Sequence, residues 1–112
     1  MLLLSAPAGF ALDGLPDGVT LAERARGTAD VILSFHTERR ELARRMPRLR
    51  ALMDPAAGLW IAWPKRASKR ETDLTEDVVR ELALENVLVD NKVAAIDDVW
   101  SGLRLVIRLR DR

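Results

Sequence analysis

Three short apolar runs limit what this chain can fold into: Leu2–Leu4, Ala29–Phe35 and Leu59–Trp63. None is long enough for a core helix. The second run, Ala-Asp-Val-Ile-Leu-Ser-Phe, is nearly continuous in apolar character and carries β-branched residues. Such runs suit strands covered on both faces, as in a parallel sheet. Each is followed by a segment with helical or turn character. Ala8–Leu15 predicts a short helix closed by Gly14, Pro16, Asp17 and Gly18. Thr37 has the chemistry of an N-cap, and Leu42, Met46, Leu49 and Met53 recur at helical spacing behind it. Pro47 inside that pattern predicts a kink or a break. After Trp63 come Pro64, a basic loop over Lys65–Glu71, and then Asp73 with Glu76 as a capping pair. Leu74, Val78, Leu82 and Asn86 trace one face of the helix so begun, and Asn86 can end it in the left-handed conformation.

Two further strands are predicted between and after these units. Val19–Glu23 is short, and only the polar Arg24–Thr28 separates it from the Ala29 run, too little for a helical crossover. At the end of the chain, Lys92–Asp97 and Leu103–Arg110 flank the turn Asp98-Val99-Trp100-Ser101-Gly102. In the last segment Leu103, Leu105, Ile107 and Leu109 share one face, and Arg104, Arg108 and Arg110 share the other with Val106. That alternation predicts an antiparallel hairpin with one wetter face. The order β-α-β-β-α-β-α-β-β implies an α/β domain spanning 1–112, with a mostly parallel, Rossmann-like sheet, right-handed crossovers and a C-terminal antiparallel hairpin.

Composition removes several chemistries. The chain of 112 residues has no cysteine, which excludes disulfides, thiolate metal sites and cysteine nucleophiles. The one histidine, His36, argues against a histidine-built zinc site and leaves no motif that gives it a catalytic partner. Eighteen basic against 17 acidic residues give a net charge of +1, with no global pull toward nucleic acid or membrane. Leu2–Leu4 is too short for a signal peptide or a span, so a cytoplasmic location is the default expectation. Arg39, Arg40, Arg44, Arg45, Arg48 and Arg50 form a basic stretch, and Glu38 and Glu41 beside them mark it as a solvated helix face. Trp60 and Trp63 fall on opposite faces of one strand, as packing requires.

The same order resembles a methyltransferase-type Rossmann fold cut to a minimum. Ala29–Leu33 resembles its central strand, Leu52–Ala62 its helix–turn–strand passage, and the closing hairpin its antiparallel end. A closer resemblance runs through Ala6-Pro7-Ala8-Gly9-Phe10, Gly58–Lys65, Thr72–Glu81 and Trp100–Arg104, which look like a family of small bacterial proteins classed as a domain of unknown function. Members of that family commonly carry glycine after the serine matching Ser68, where this chain has Lys69.

In such a sheet, ligands bind beyond the carboxyl ends of the strands. That rim would hold Ser5-Ala6-Pro7, Glu23, Phe35-His36 and Pro64-Lys65. Glu23 stands where methyltransferases often keep a ribose-binding acid, and it is the candidate cofactor residue. The turn Ser-Ala-Pro-Ala-Gly-Phe is a poor cradle for a nucleotide, because it has one glycine and a proline without an N–H. The length also leaves no room for a substrate-binding cap. Pro64, Lys65, Ser68, Thr72 and Asp73 are the candidate ligand-binding residues, at a helix start suited to an anion. Trp100, in its polar turn, is the candidate interaction surface. The sequence therefore favours a non-catalytic binding or regulatory module, with an unknown cofactor and a small anionic ligand or a protein as partner. The alternatives are a minimal group-transfer enzyme using a nucleotide-like cofactor and a homodimeric interaction module.

Overall fold

A computed structural model describes Leu2–Leu4 and Ala29–Arg112. The helix expected over Ala8–Leu15 and the strand expected over Val19–Glu23 lie outside these residues. The described chain runs β1 (Leu2–Leu4), β2 (Ala29–Phe35), α1 (Arg39–Ala51), β3 (Met53–Pro64), α2 (Glu76–Glu85), β4 (Val89–Ala95) and β5 (Trp100–Val106), with short 3-10 turns at Arg66–Ser68 and Leu109–Asp111. The strands form one sheet in the order β1-β2-β3-β5-β4. β1, β2 and β3 are parallel neighbours, and β5 and β4 add to β3 in antiparallel fashion. The mostly parallel sheet with a closing hairpin is thus present as the sequence implies.

Strand alternation divides the side chains between two faces. On one face Ile32, Leu59, Ile61, Leu103 and Leu105 meet Leu42, Met46 and Leu49 of α1 and Val79, Leu82 and Ala83 of α2. On the other, Leu33, Phe35, Ala62 and Trp100 cluster with Leu3, and Trp60, Ile96 and Val99 pack against them. Trp63 belongs to the first face and Trp60 to the second, as the spacing predicts.

Several element boundaries differ from the sequence expectation, each for a local reason. α1 runs unbroken through Pro47, which sits on its exposed side while the helix buries Met46 and Leu49 in the core. Its N-cap is Glu38 rather than Thr37, and the cap makes no side-chain hydrogen bond of its own. α2 starts at Glu76 with Thr75 as N-cap, whose hydroxyl accepts from the Val78 N–H at 3.2 Å, rather than with the Asp73–Glu76 pair. The left-handed residue that ends α2 is Val87 (φ 61°), one position beyond Asn86. β3 starts at Met53, and its register with β2 jumps from Met53 to Gly58, which ejects the turn-forming Asp54-Pro55-Ala56-Ala57 from the ladder. β5 begins at Trp100 and stops at Val106, and Leu109–Asp111 turns instead of extending. Asp97 tightens the β4–β5 connection, its Oδ1 accepting from the N–H groups of Val99 and Trp100 at 2.8 Å each. β4 lies at a sheet edge with a bulge between Asp90 and Lys92. A bulge and an exposed lysine both work against pairing with another strand.

Candidate functional site

The carboxyl ends of the parallel strands deliver two junctions to one rim: β2 into α1, and β3 into α2. The loop of the second junction is built largely by its own hydrogen bonds. Pro64 is fully buried. Lys65 donates its backbone N–H to Val99 O at 2.7 Å and its Nζ to Asp97 O at 2.5 Å, which pins the loop to the hairpin turn. Ser68 Oγ donates to Lys65 O at 2.6 Å. Lys69 then takes a left-handed conformation (φ 59°). Glycine reaches that region without a Cβ clash, and lysine does not.

Thr72 and Asp73 cross to the other junction. Thr72 Oγ1 donates to Thr37 O at 2.6 Å and accepts from the Leu74 N–H at 3.0 Å. Asp73 Oδ1 accepts from the Arg39 N–H at 2.6 Å. A carboxylate from the β3–α2 loop therefore occupies the start of α1 that Glu38 leaves uncapped, where negative charge is stabilising. The five loop residues singled out in the sequence are thus brought together, and the polar side chains among them have partners within the protein. Glu23 lies outside the described residues. Trp100 stands in β5 rather than in a polar turn, is 5% exposed, and meets Phe35 edge-to-face with ring centroids 5.0 Å apart.

Among the described residues, two clefts open along this rim. The broader, about 730 Å³, is lined by Thr37, Glu38 and Lys69–Asp73. The other, about 370 Å³, lies between the end of β3 and the start of α2 and is lined by Trp63, Pro64, Arg66, Arg70, Thr72, Leu74, Thr75 and Glu76. Arg70 borders both, its guanidinium 5.9 Å from the centre of the Trp100 ring.

Sequence reasoning found no partner for His36; the structure supplies two. Ser34 Oγ lies 2.6 Å from Nε2, and Glu41 Oε1 lies 2.5 Å from Nδ1. Ser34 is two residues back on the same face of β2, and Glu41 is in the first turn of α1. Burial holds the imidazole below its ordinary value, against the opposing pull of the Glu41 hydrogen bond and charge. A neutral ring with its proton on Nδ1 satisfies both contacts, donating to Glu41 and accepting from Ser34. The bonding order is that of a nucleophile, base and acid relay. Ser34 is nevertheless fully buried within the sheet, and neither it nor His36 lines either cleft. The relay holds the end of β2 to α1 rather than presenting a nucleophile. Among the described residues no cluster of histidine, aspartate and glutamate has the makings of a metal site, and no helix is long and apolar enough to cross a membrane.

The strand order and the antiparallel close define the methyltransferase class of Rossmann-like folds. Among solved structures, magnesium protoporphyrin IX methyltransferase from Synechocystis PCC 6803 with bound SAM shares this fold at a TM-score of 0.60 and 16% identity, over 80% of this chain and 46% of that one. The SAM complex of LepI matches at a TM-score of 0.58 and 11% identity, over 84% of this chain and 32% of that one. The Bacillus subtilis M1A22 tRNA methyltransferase TrmK matches at a TM-score of 0.51 and 13% identity, over 83% and 39% of the two chains. The chain therefore spans half or less of the length of these proteins. No family model matches the chain, and no curated protein does. These neighbours correct the leading expectation from sequence. The fold is shared with proteins solved with SAM or SAH bound, so the non-catalytic module expected from sequence does not stand as the leading reading.

Proposed function

We propose that this protein is a minimal group-transfer enzyme that uses a nucleotide-like cofactor of the S-adenosylmethionine type. The observation that carries the proposal is the sheet itself. Parallel β1, β2 and β3 end together on a rim with an open cleft, in a fold shared with SAM-bound proteins. In this reading the cofactor lies beyond the carboxyl ends of β1 and β2, with Glu23 as the ribose-binding acid by its position in the sequence. When bound, such a cofactor supplies an electrophilic carbon on sulfur. The residues of the rim fit a cofactor that carries both ammonium and carboxylate groups. Glu38 and Glu71 are exposed carboxylates without an ion-pair partner among the described residues, and Lys69 is a cation in the same state. Pro64, Lys65, Ser68, Thr72 and Asp73 shape the rim and hold the two junctions in register. The resemblance to the small bacterial family adds no activity to this reading.

Thermal-shift measurements with S-adenosylmethionine, its demethylated product, adenosine nucleotides and simple anions test the proposal. A ligand specific to the native state adds about 2.7 kcal/mol at a hundred times its dissociation constant. The expected result is a rise in Tm with the two adenosyl sulfur compounds that Glu23→Ala diminishes. A Tm unmoved by either compound at millimolar concentration overturns the proposal.

A further inference from the structure

Within the smaller cleft the charges do not cancel. Glu76 is already held by Arg80, Oε2 to Nη2 at 2.7 Å. Arg66 and Arg70 have no carboxylate partner among the described residues, although acidic residues occur nearby in the sequence. Ion pairing gathers instead on Arg80, which contacts Glu76, Asp77 and Asp90. Beside the two arginines, the cleft is lined by Thr72, Thr75 and Glu76 and by the nearly buried Trp63, Pro64 and Leu74. The Arg70 guanidinium lies over the Trp100 ring, 5.9 Å from its centroid, and Trp100 is itself held edge-to-face by Phe35. A guanidinium fixed by an aromatic face keeps its planar fork of N–H groups for a planar or tetrahedral anion. At about 370 Å³ the cleft falls in the range of small-molecule sites.

We infer that this cleft binds the acidic end of the acceptor: a compact molecule that carries a carboxylate or phosphate, which Arg66 and Arg70 receive. The inference rests on the group-transfer reading for the word acceptor, but the binding itself does not. It also moves anion recognition away from Lys65, Ser68, Thr72 and Asp73, whose polar groups are engaged inside the protein. The side chains that select the ligand are the two arginines that leave no local signature in the sequence beyond their place in a basic loop.

The probes are benzoate and phenyl phosphate, with benzyl alcohol as the neutral counterpart, titrated into the full chain and followed by the Trp63 indole N–H and arginine Nε–H resonances. Both anions are expected to shift these resonances at concentrations at least fivefold lower than benzyl alcohol does, and the difference shrinks in high salt. Arg66→Gln and Arg70→Gln are each expected to weaken anion binding at least fivefold. Arg66→Gln leaves the Trp100 stacking in place and so separates loss of binding from loss of local order. Equal binding of benzyl alcohol, or undiminished anion binding in the Arg66→Gln/Arg70→Gln double variant, overturns the inference. Adenosyl-compound binding is measured on the same samples. Anion binding without a response to S-adenosylmethionine would leave the acidic pocket standing and remove the group-transfer reading. The reverse pattern would remove the pocket and leave that reading intact.

Discussion

His36 shows how far a single residue can be read in each direction. Its position after an apolar strand is plain in the sequence, but its partners are not. Ser34 reads as one polar interruption in a strand, and Glu41 as one of several charges on a basic helix. Only the turn from β2 into α1 brings them to opposite nitrogens of one ring. Replacing the ring by a side chain of similar size isolates the polar contribution. His36→Leu leaves the Ser34 hydroxyl and the Glu41 carboxylate without their partner, and is expected to cost about 2–4 kcal/mol in urea denaturation at pH 7.5. The pH dependence has a definite sign. The folded-state pKa is lowered from 6.5, so above pH 6.5 the ring is neutral in both states and its stabilisation is complete. As the pH falls through that value the unfolded chain takes up a proton first. Stability is then lost until the folded ring also protonates. The stability gap between the wild type and His36→Leu should therefore narrow from pH 7.5 to pH 5. A gap constant over that range would show that the ring does not titrate as its burial requires.

At the scale of elements, what was legible followed from periodicity, and what was missed followed from contacts between elements. The apolar spacing of Leu42, Met46 and Leu49 gave the buried face of α1. The start of that helix was misplaced because its capping carboxylate comes from Asp73, 34 residues away. The end of α2 was misplaced by one residue. Leu88 N–H donates to Ala83 O at 2.9 Å and Val87 N–H to Leu84 O at 3.1 Å, the two bonds of a Schellman close with Val87 in the left-handed position. Asn86 carries the residue preference, but burial of Leu88 sets the register. A β-branched residue in that conformation is strained by about 1–2 kcal/mol. Glycine there loses about 0.5–1 kcal/mol through the freedom of its unfolded chain. Val87→Gly is accordingly expected to stabilise the protein by about 0.5–1 kcal/mol, raising Tm by roughly 2–5 °C. Lys69→Gly should act in the same direction by a similar or smaller amount. Thr75→Ala should act oppositely, at about 1 kcal/mol, by freeing the Val78 N–H. Scanning calorimetry on the three variants checks the signs, and a destabilised Val87→Gly would mean that the Val87 side chain contributes packing its 46% exposure does not suggest.

At the scale of the molecule, the strand–helix alternation made the sheet legible, because parallel neighbours need a crossover and the final alternating segments need none. The site was only half legible for the same reason. Sequence could place both junctions on one rim, but it could not show that Thr72 and Asp73 spend their polar groups joining those junctions. That strap makes the rim one mechanical unit: the start of α1 and the β3–α2 loop cannot separate without breaking both bonds. Ligand binding at the rim should therefore quiet both junctions together. In hydrogen exchange with saturating S-adenosylmethionine, added protection is expected over residues 36–42 and 65–75, and none over β4 on the far edge of the sheet. Asp73→Ala removes the contact to α1 while Thr72 remains. It should cost about 1–2 kcal/mol and uncouple the responses, so that protection at 36–42 no longer accompanies protection at 65–75. Joint protection that persists in Asp73→Ala would place the coupling in the sheet rather than in the strap. Protection spread evenly over β4 and β5 would mean that the ligand stabilises the whole fold without engaging this rim.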